Sequence, residues 1–389
     1  VCGINPNIEP LAAIAAVRPQ WTSVREARSA LGLEGRVLLH AGPPLADPAR
    51  PPPPMRNAAV LSCLHEGWAK DEREAERMLS SGAVKLEPSF SRSVATPLAA
   101  MVSPRTTVAE ISGGGRRYFA FLGSGAGPQQ RFGSRDPAIL ERLAFRETVL
   151  LAGFSELLES PVDLLSLARA GIREGDDLHN RLSSANTLLH ALLSTRKAES
   201  DHAKAALRAV AEAPLYFLNV WMPACQLMLL AAEGTTSTLV TRLCANGEVI
   251  GIQVAALPGR WFTAPAPPVE GPFMKNAPGE RFGPATGDSG VIDAFGLGGQ
   301  ALRHAPSLLS AFSCWLRPDD DARARSLLAG EHPILETGFA LDARLVVRSN
   351  RNALLSTGMV DPHGRGLLGR GLCVVPAQPF AEALARCAS

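Results

Sequence analysis

Four kinds of residue in this 389-residue chain have the type and setting to do chemistry. Arg181 and Arg260, with Arg56 behind them, carry the planar fork that meets a carboxylate or phosphate through two parallel hydrogen bonds. For Arg181 the competing reading is a surface pair with Asp177, one helical turn away. Gly296-Leu297-Gly298-Gly299 reads as a glycine-rich turn entering a helix, where free backbone N–H groups would hold an anion; a tight packing turn would use the same glycines. His40 closes the apolar run Arg36–His40 ahead of a rigid Gly42-Pro43-Pro44 loop. Ligand groups collect at that end of an α/β strand, so its imidazole is a candidate proton donor. His179 flanks an apolar helix face, and for both histidines a structural role is the alternative. Asp288-Ser289 sits on a glycine-bounded loop, suited either to orienting an amide or acting as a base, or to an Asx-turn.

The elements around these residues predict an α+β, mixed α/β fold of two mixed units separated by a small helical domain, divided as 1–135, 136–213 and 214–389. Short apolar runs broken by turn residues predict strands over 36–40, 84–86, 107–111 and 118–122, with Gly113-Gly114-Gly115 as a hairpin loop. Helices are expected over 57–70 and 70–80, the first clear of the Pro51–Pro54 run. Glycine and proline thin out between Asp136 and Ala213 and the apolar period moves toward 3.6. Asp136-Pro137 and Ser160-Pro161 read as helix starts, and Leu178, Leu182, Ala185 and Leu189 as one face of a third helix. Beyond Thr235 strands are expected at 239–243, 249–255, 339–347 and 372–375. A helix is expected from just after Gly299 to about Trp315, and a last one from Pro379.

Composition removes several functions. With 39 basic against 37 acidic residues and 20% charged, the chain has no bulk field to hold nucleic acid or an anionic membrane. Seven scattered cysteines, Cys2, Cys63, Cys225, Cys244, Cys314, Cys373 and Cys387, show no C-x-x-C spacing, which predicts reduced thiols and a cytoplasmic protein. The first residues hold no basic region leading into an apolar run, so no secretory signal is expected. The uncharged stretch from Ala213 to Ala232 is interrupted by Asn219, Pro223 and Gln226 and reads as buried core. There is no phosphate-loop motif, no nucleophile elbow around Ser124 and no H-E-x-x-H spacing. No metal and no redox or other cofactor is expected.

Several peptides in one order along the chain resemble the AllG family, a subunit of oxamate carbamoyltransferase from bacterial allantoin catabolism. They are Leu39-His40-Ala41-Gly42-Pro43-Pro44 with Met55-Arg56-Asn57-Ala58 and Glu66-Gly67-Trp68-Ala69, then Gly175-Asp176-Asp177-Leu178-His179-Asn180-Arg181. Asn246-Gly247, Gly251-Ile252-Gln253-Val254 and Arg260–Pro265 follow, then Gly287-Asp288-Ser289 with Gly296–Gly299, and Thr357-Gly358 with the glycine-rich Gly364–Gly371. The resemblance implies carbamoyl transfer that interconverts oxalurate plus phosphate with oxamate plus carbamoyl phosphate, in a complex with partner subunits. The resemblance does not assign catalysis; the residues' own chemistry makes His40, His179 and Asp288 the catalytic candidates, and Arg56, Arg181, Asn180, Arg260, Ser289, Gly298, Gly299 and Thr357 the candidate anion or substrate contacts. Where family members carry a cysteine- and histidine-rich run, this chain reads Pro88-Ser89-Phe90-Ser91-Arg92-Ser93; the family's Thr-Gly-Ile-Ala-His is here Thr357-Gly358-Met359-Val360-Asp361. These departures leave open a non-catalytic structural or regulatory paralogue; a stand-alone amidohydrolase acting on a ureido compound is a separate alternative, and the partners considered include a second copy of the chain as a homo-oligomer.

Overall fold

In the computed structural model, residues 7–197, 199–317 and 320–388 are described; Cys2 lies outside them. The chain mixes helices with parallel and antiparallel strands in an α+β fold. One sheet has five strands in the spatial order Val94–Ala95, Arg116–Phe121, Thr107–Gly113, Gln20–Glu26, Val162–Asp163. Its centre is the hairpin expected from the glycine run: Thr107–Gly113 and Arg116–Phe121 are joined at Gly114 and Gly115, whose φ values of 56° and 74° suit the tight two-residue turn. A parallel pair, Val37–His40 beside Lys85–Pro88, puts Leu38 opposite Leu86. The second half builds a four-stranded sheet in the order Phe262–Pro265, Val249–Val254, Val240–Asn246, Thr286–Gly287, and a long hairpin of Leu354–Val360 with Leu367–Val374.

These pieces share an interior. The largest apolar core runs from Ile14 to Ala383 and draws on both halves of the chain but on nothing between Val24 and Ala95, while a smaller one lies beneath residues 38–101. At the centre of the large core lies the helix Leu218–Leu229, in which every residue from Asn219 to Leu229 is buried. The uncharged stretch is therefore core. Among the described residues no helix is long and apolar enough to cross a membrane.

Five local expectations are corrected, each for a physical reason. The first helix begins at Pro53, inside the proline run, and ends at His65; a proline in the first turn gives up an N–H that has no helical partner there. No helix starts at Ser160-Pro161. Val162 and Asp163 pair with Trp21 and Gln20 as an edge strand, and the Asp163 side chain then caps the helix Leu164–Arg173. The third helix starts at Ser183, so Leu178 and Leu182 belong to the preceding loop. Only short 3-10 turns follow Gly298, and the next α-helix is Pro306–Ala311. The expected strand 339–347 stops at Leu341, because Asp342 accepts a hydrogen bond from the Arg344 N–H and starts the helix Ala343–Ser349.

Candidate functional site

A pocket of about 290 Å³ opens where segments remote in sequence meet. Leu98, Phe132, Leu215, Leu218 and Leu367 supply apolar wall. The polar lining includes Gln129, Arg131, His179, Asn180, Ser289, Thr357 and Arg370. Of the residues singled out from sequence, His179, Asn180, Ser289 and Thr357 are brought together here.

The loop carrying His179 is shaped by two adjacent carboxylates. Asp176 accepts from the backbone N–H groups of Ser184 and Ala185, capping the helix Ser183–Ser194. Asp177 Oδ1 accepts from the N–H groups of His179, Asn180 and Arg181 at 3.1, 3.0 and 2.7 Å. A side chain that gathers three successive amides replaces the helical ladder with a turn, which is why the apolar period misleads between 174 and 182. Leu178 is held at φ +60°, and Leu98 in the pocket wall at +48°, left-handed conformations that non-glycine residues seldom adopt. The second Asp177 oxygen has no hydrogen-bond partner among the described residues, and burial pushes this carboxyl up to about 6.

His179 is ordered from behind. Its Nδ1 lies 2.7 Å from Asp293 Oδ2, while Asp293 Oδ1 accepts from the N–H groups of Gly299 at 2.7 Å and Ser356 at 2.9 Å. Burial raises the Asp293 carboxyl and the nearby imidazole opposes that rise. With Nδ1 engaged, Nε2 is the nitrogen left for proton exchange in the pocket that His179 lines.

The remaining candidates lie elsewhere. His40 is 1% exposed and outside the pocket lining; its Nδ1 is 2.8 Å from the Ala41 carbonyl, and burial holds the ring below the ordinary histidine range. Asp288, next to Ser289, is consumed in a knot. It accepts from the Gly42 N–H, the Ser89 hydroxyl, and the N–H and hydroxyl of Thr96. Arg56 pairs with Glu76, which Arg135 shares. Arg181 donates to the Ser307 hydroxyl at 2.8 Å and lies 3.4 Å from Asp176, so the expected side-chain pair with Asp177 is not the one it makes. Arg260 is exposed, with its guanidinium 5.5 Å from the centre of the Phe262 ring. Gly298 and Gly299 hold no anion, because their N–H groups are spent on the Asp177 carbonyl and Asp293. Among the described residues no group of three or more metal-ligating side chains converges.

Sequence reasoning missed Asp293, Arg131 and Arg370. Asp293 had a signal, an acid inside the apolar run Val291-Ile292-Asp293-Ala294-Phe295. Arg370 stands between Gly369 and Gly371 in a stretch already marked, whereas nothing in Gln129-Gln130-Arg131-Phe132 announces that Arg131 is buried.

The family model for the oxamate carbamoyltransferase subunit AllG matches residues 84–289, which include Arg131, His179, Asn180 and Ser289. The oxamate carbamoyltransferase subunit AllG of Escherichia coli K12 is 31% identical over 403 aligned residues, covering 97% of this chain and 96% of that protein. The uncharacterized protein YahG of the same organism is 27% identical, over 91% and 79% of the two chains. A conserved protein of unknown function from Enterococcus faecalis V583, known from its crystal structure, superposes with a TM-score of 0.90 at 26% identity, over 98% of this chain and 97% of that one.

Proposed function

The chain belongs to the AllG family of oxamate carbamoyltransferase subunits, and from that premise we propose that its pocket takes part in carbamoyl transfer, physiologically from oxalurate to phosphate. In the complex with its partner subunits, a phosphate oxygen attacks the carbamoyl carbon, the bond to the oxamate nitrogen breaks, and that nitrogen needs a proton as it leaves. The reading rests on one observation, the His179–Asp293 pair at the wall of the pocket, with Nδ1 fixed and Nε2 available. His179 is proposed as the proton donor, becoming the base in the reverse direction. Asn180, Ser289 and Thr357 are proposed to hydrogen-bond the carbamoyl and oxamate groups, and no cofactor or metal is invoked. The proposal carries with it a cytoplasmic place in purine breakdown.

The test is reconstitution of the chain with the subunits encoded beside it, followed by oxalurate and phosphate. Carbamoyl phosphate should form, and His179→Gln should slow it 10²–10⁴-fold, the usual worth of a positioned acid–base group. An assembled complex that makes none overturns the reading. A second reading, a non-catalytic subunit, draws on residues 88–96, where the family's histidine-rich run is replaced and Ser89 and Thr96 are tied to Asp288. It requires His179→Gln to leave the assembled activity unchanged.

A further inference from the structure

Burying an arginine is costly unless something balances it, and most buried arginines in this molecule are balanced in the ordinary way. Arg146 pairs with Glu147, and Arg242 has Glu233 at 2.7 Å. Arg131 and Arg370 break this pattern. Arg131 is 9% exposed; its side chain donates no hydrogen bond to the described residues, and its Nε is buried without a partner. Arg370 is half-buried and donates from Nη1 to the Asn180 carbonyl at 2.6 Å, which leaves most of its fork unused. Neither forms an ion pair with a carboxylate among the described residues; Glu212, the acid in the same lining, is exposed and pairs with neither. Each feels the loss of water: burial brings Arg131 down to about 10, with Arg370 adding repulsion, and lowers Arg370 as well. Two like charges thus line one pocket without an ion pair for either; the Asp177 carboxylate acts favourably on Arg370 from beyond ion-pair distance, but burial outweighs it, and nothing of the kind offsets Arg131 among the described carboxylates.

The geometry points to an oxyanion site: we propose that Arg131 and Arg370 together hold the anionic group of the ligand, a carboxylate or a phosphate, in this pocket. The site rests on reading the pocket as the transfer site only for which anion occupies it. Its logic is that of any arginine clamp. Each guanidinium offers paired N–H donors to paired oxygens, and the low-dielectric wall of Phe132, Leu215 and Leu367 strengthens the attraction. The Arg131 guanidinium carbon already lies 4.9 Å from the centre of the Phe132 ring, which stacks it in place without satisfying its hydrogens. Arg370 is held by the loop that also carries His179, so an anion seated here lies within the same lining as the proton donor.

The experiment is calorimetric titration of the whole purified chain with inorganic phosphate and, separately, with oxamate, paired with thermal melts with and without each anion. The variants are Arg131→Gln, Arg131→Lys and Arg370→Gln, with the exposed Arg77→Gln as a control. Binding of at least one anion by the wild type is expected, weakened tenfold or more by either glutamine variant, less by Arg131→Lys, and not by Arg77→Gln. Binding of phosphate alone makes the site a phosphate subsite; binding of oxamate alone makes it a carboxylate subsite. Without anion, Arg131→Gln should melt no lower than wild type, since it removes an uncompensated buried charge; a merely structural arginine would lower the melt. The proposal is overturned if neither anion binds the wild type, or if both glutamine variants bind as it does. No turnover is read, so an inactive complex with intact anion binding would sink the transfer reading alone. An active complex whose chain binds neither anion would sink only this site.

Discussion

Replacing Asp288 separates a structural knot from a catalytic base. Its Oδ1 accepts from the Gly42 N–H at 2.7 Å, and its Oδ2 from the Ser89 hydroxyl at 2.6 Å and from the N–H and hydroxyl of Thr96 at 2.8 and 2.9 Å. Hydrogen bonds to a charged group contribute about 1.5–3 kcal/mol each. In Asp288→Asn the better orientation keeps the carbonyl toward Ser89 and Thr96 and turns the amide toward Gly42. One charge-assisted bond is lost and two donors face each other, so about 2–3 kcal/mol of stability should go. Gly42 cannot retreat to another acceptor: at φ +82° its backbone is so close to the Ala245 peptide that a Cβ there would lie 2.5 Å from the Ala245 carbonyl carbon. Asp288→Ala strands the N–H groups of Gly42 and Thr96 while the two hydroxyls can rotate away, a loss of about 4 kcal/mol or more. Urea unfolding of the three proteins measures this directly. Wild-type stability for Asp288→Asn, within about 0.5 kcal/mol, would refute the knot. In the reconstituted complex, Asp288→Asn assayed where it remains folded should keep activity within a few-fold. A thousandfold loss in a stable variant would return Asp288 to the chemistry.

Two other perturbations test the loop behind the pocket. Asp177 is held at about 6 by burial, above an ordinary aspartate near 4, so the folded chain keeps this proton more tightly than the unfolded one. Its contribution is therefore most favourable below pH about 4 and is lost as pH rises through 6. Asp177→Asn should gain on wild type by up to about 3 kcal/mol between pH 4 and 7, at roughly 1.4 kcal/mol for each tenfold change in proton affinity; a difference that stays flat across denaturation curves at several pH values would contradict this. Gly298→Ala places a Cβ 2.5 Å from Asp293 Oδ1 and 3.0 Å from the His179 Cβ, at φ +57°. It should lower the melting temperature and move the His179 imidazole resonances seen by NMR; unchanged resonances would show that Gly298 does not hold the pair together.

What could be read from the sequence divides along a physical line. The helix Glu72–Ser80 falls within the expected 70–80 and starts where Asp71 accepts from the Glu74 N–H, and the 107–121 hairpin was legible because paired glycines mark its turn. Those signals are local. Asp177 and Asp342 defeated the pattern because, at each place, one carboxylate redirected the backbone that a mainly apolar stretch foretold. The site was half legible for a related reason. His179, Asn180, Ser289 and Thr357 lie in marked peptides, but which arginines face the pocket depends on burial. Arg181 and Arg260 look as suitable as Arg131 and Arg370 until the fold turns the first two outward.

The pocket's lining comes from residues 97–98, 125–132, 179–180, 212–218, 289 and 357–370, and this spread sets a timetable. Chains are made from the amino end, and the parts already synthesised can settle before the rest exists. Asn180 must wait for the far end of the chain, where the Gly371 carbonyl accepts from its side chain and Arg370 donates to its carbonyl. The nascent protein therefore has no receptor for its ligand until synthesis is nearly over. A ligand that binds afterwards touches segments from residue 97 to residue 370 at once, so its binding energy acts against unfolding of the parts that carry them.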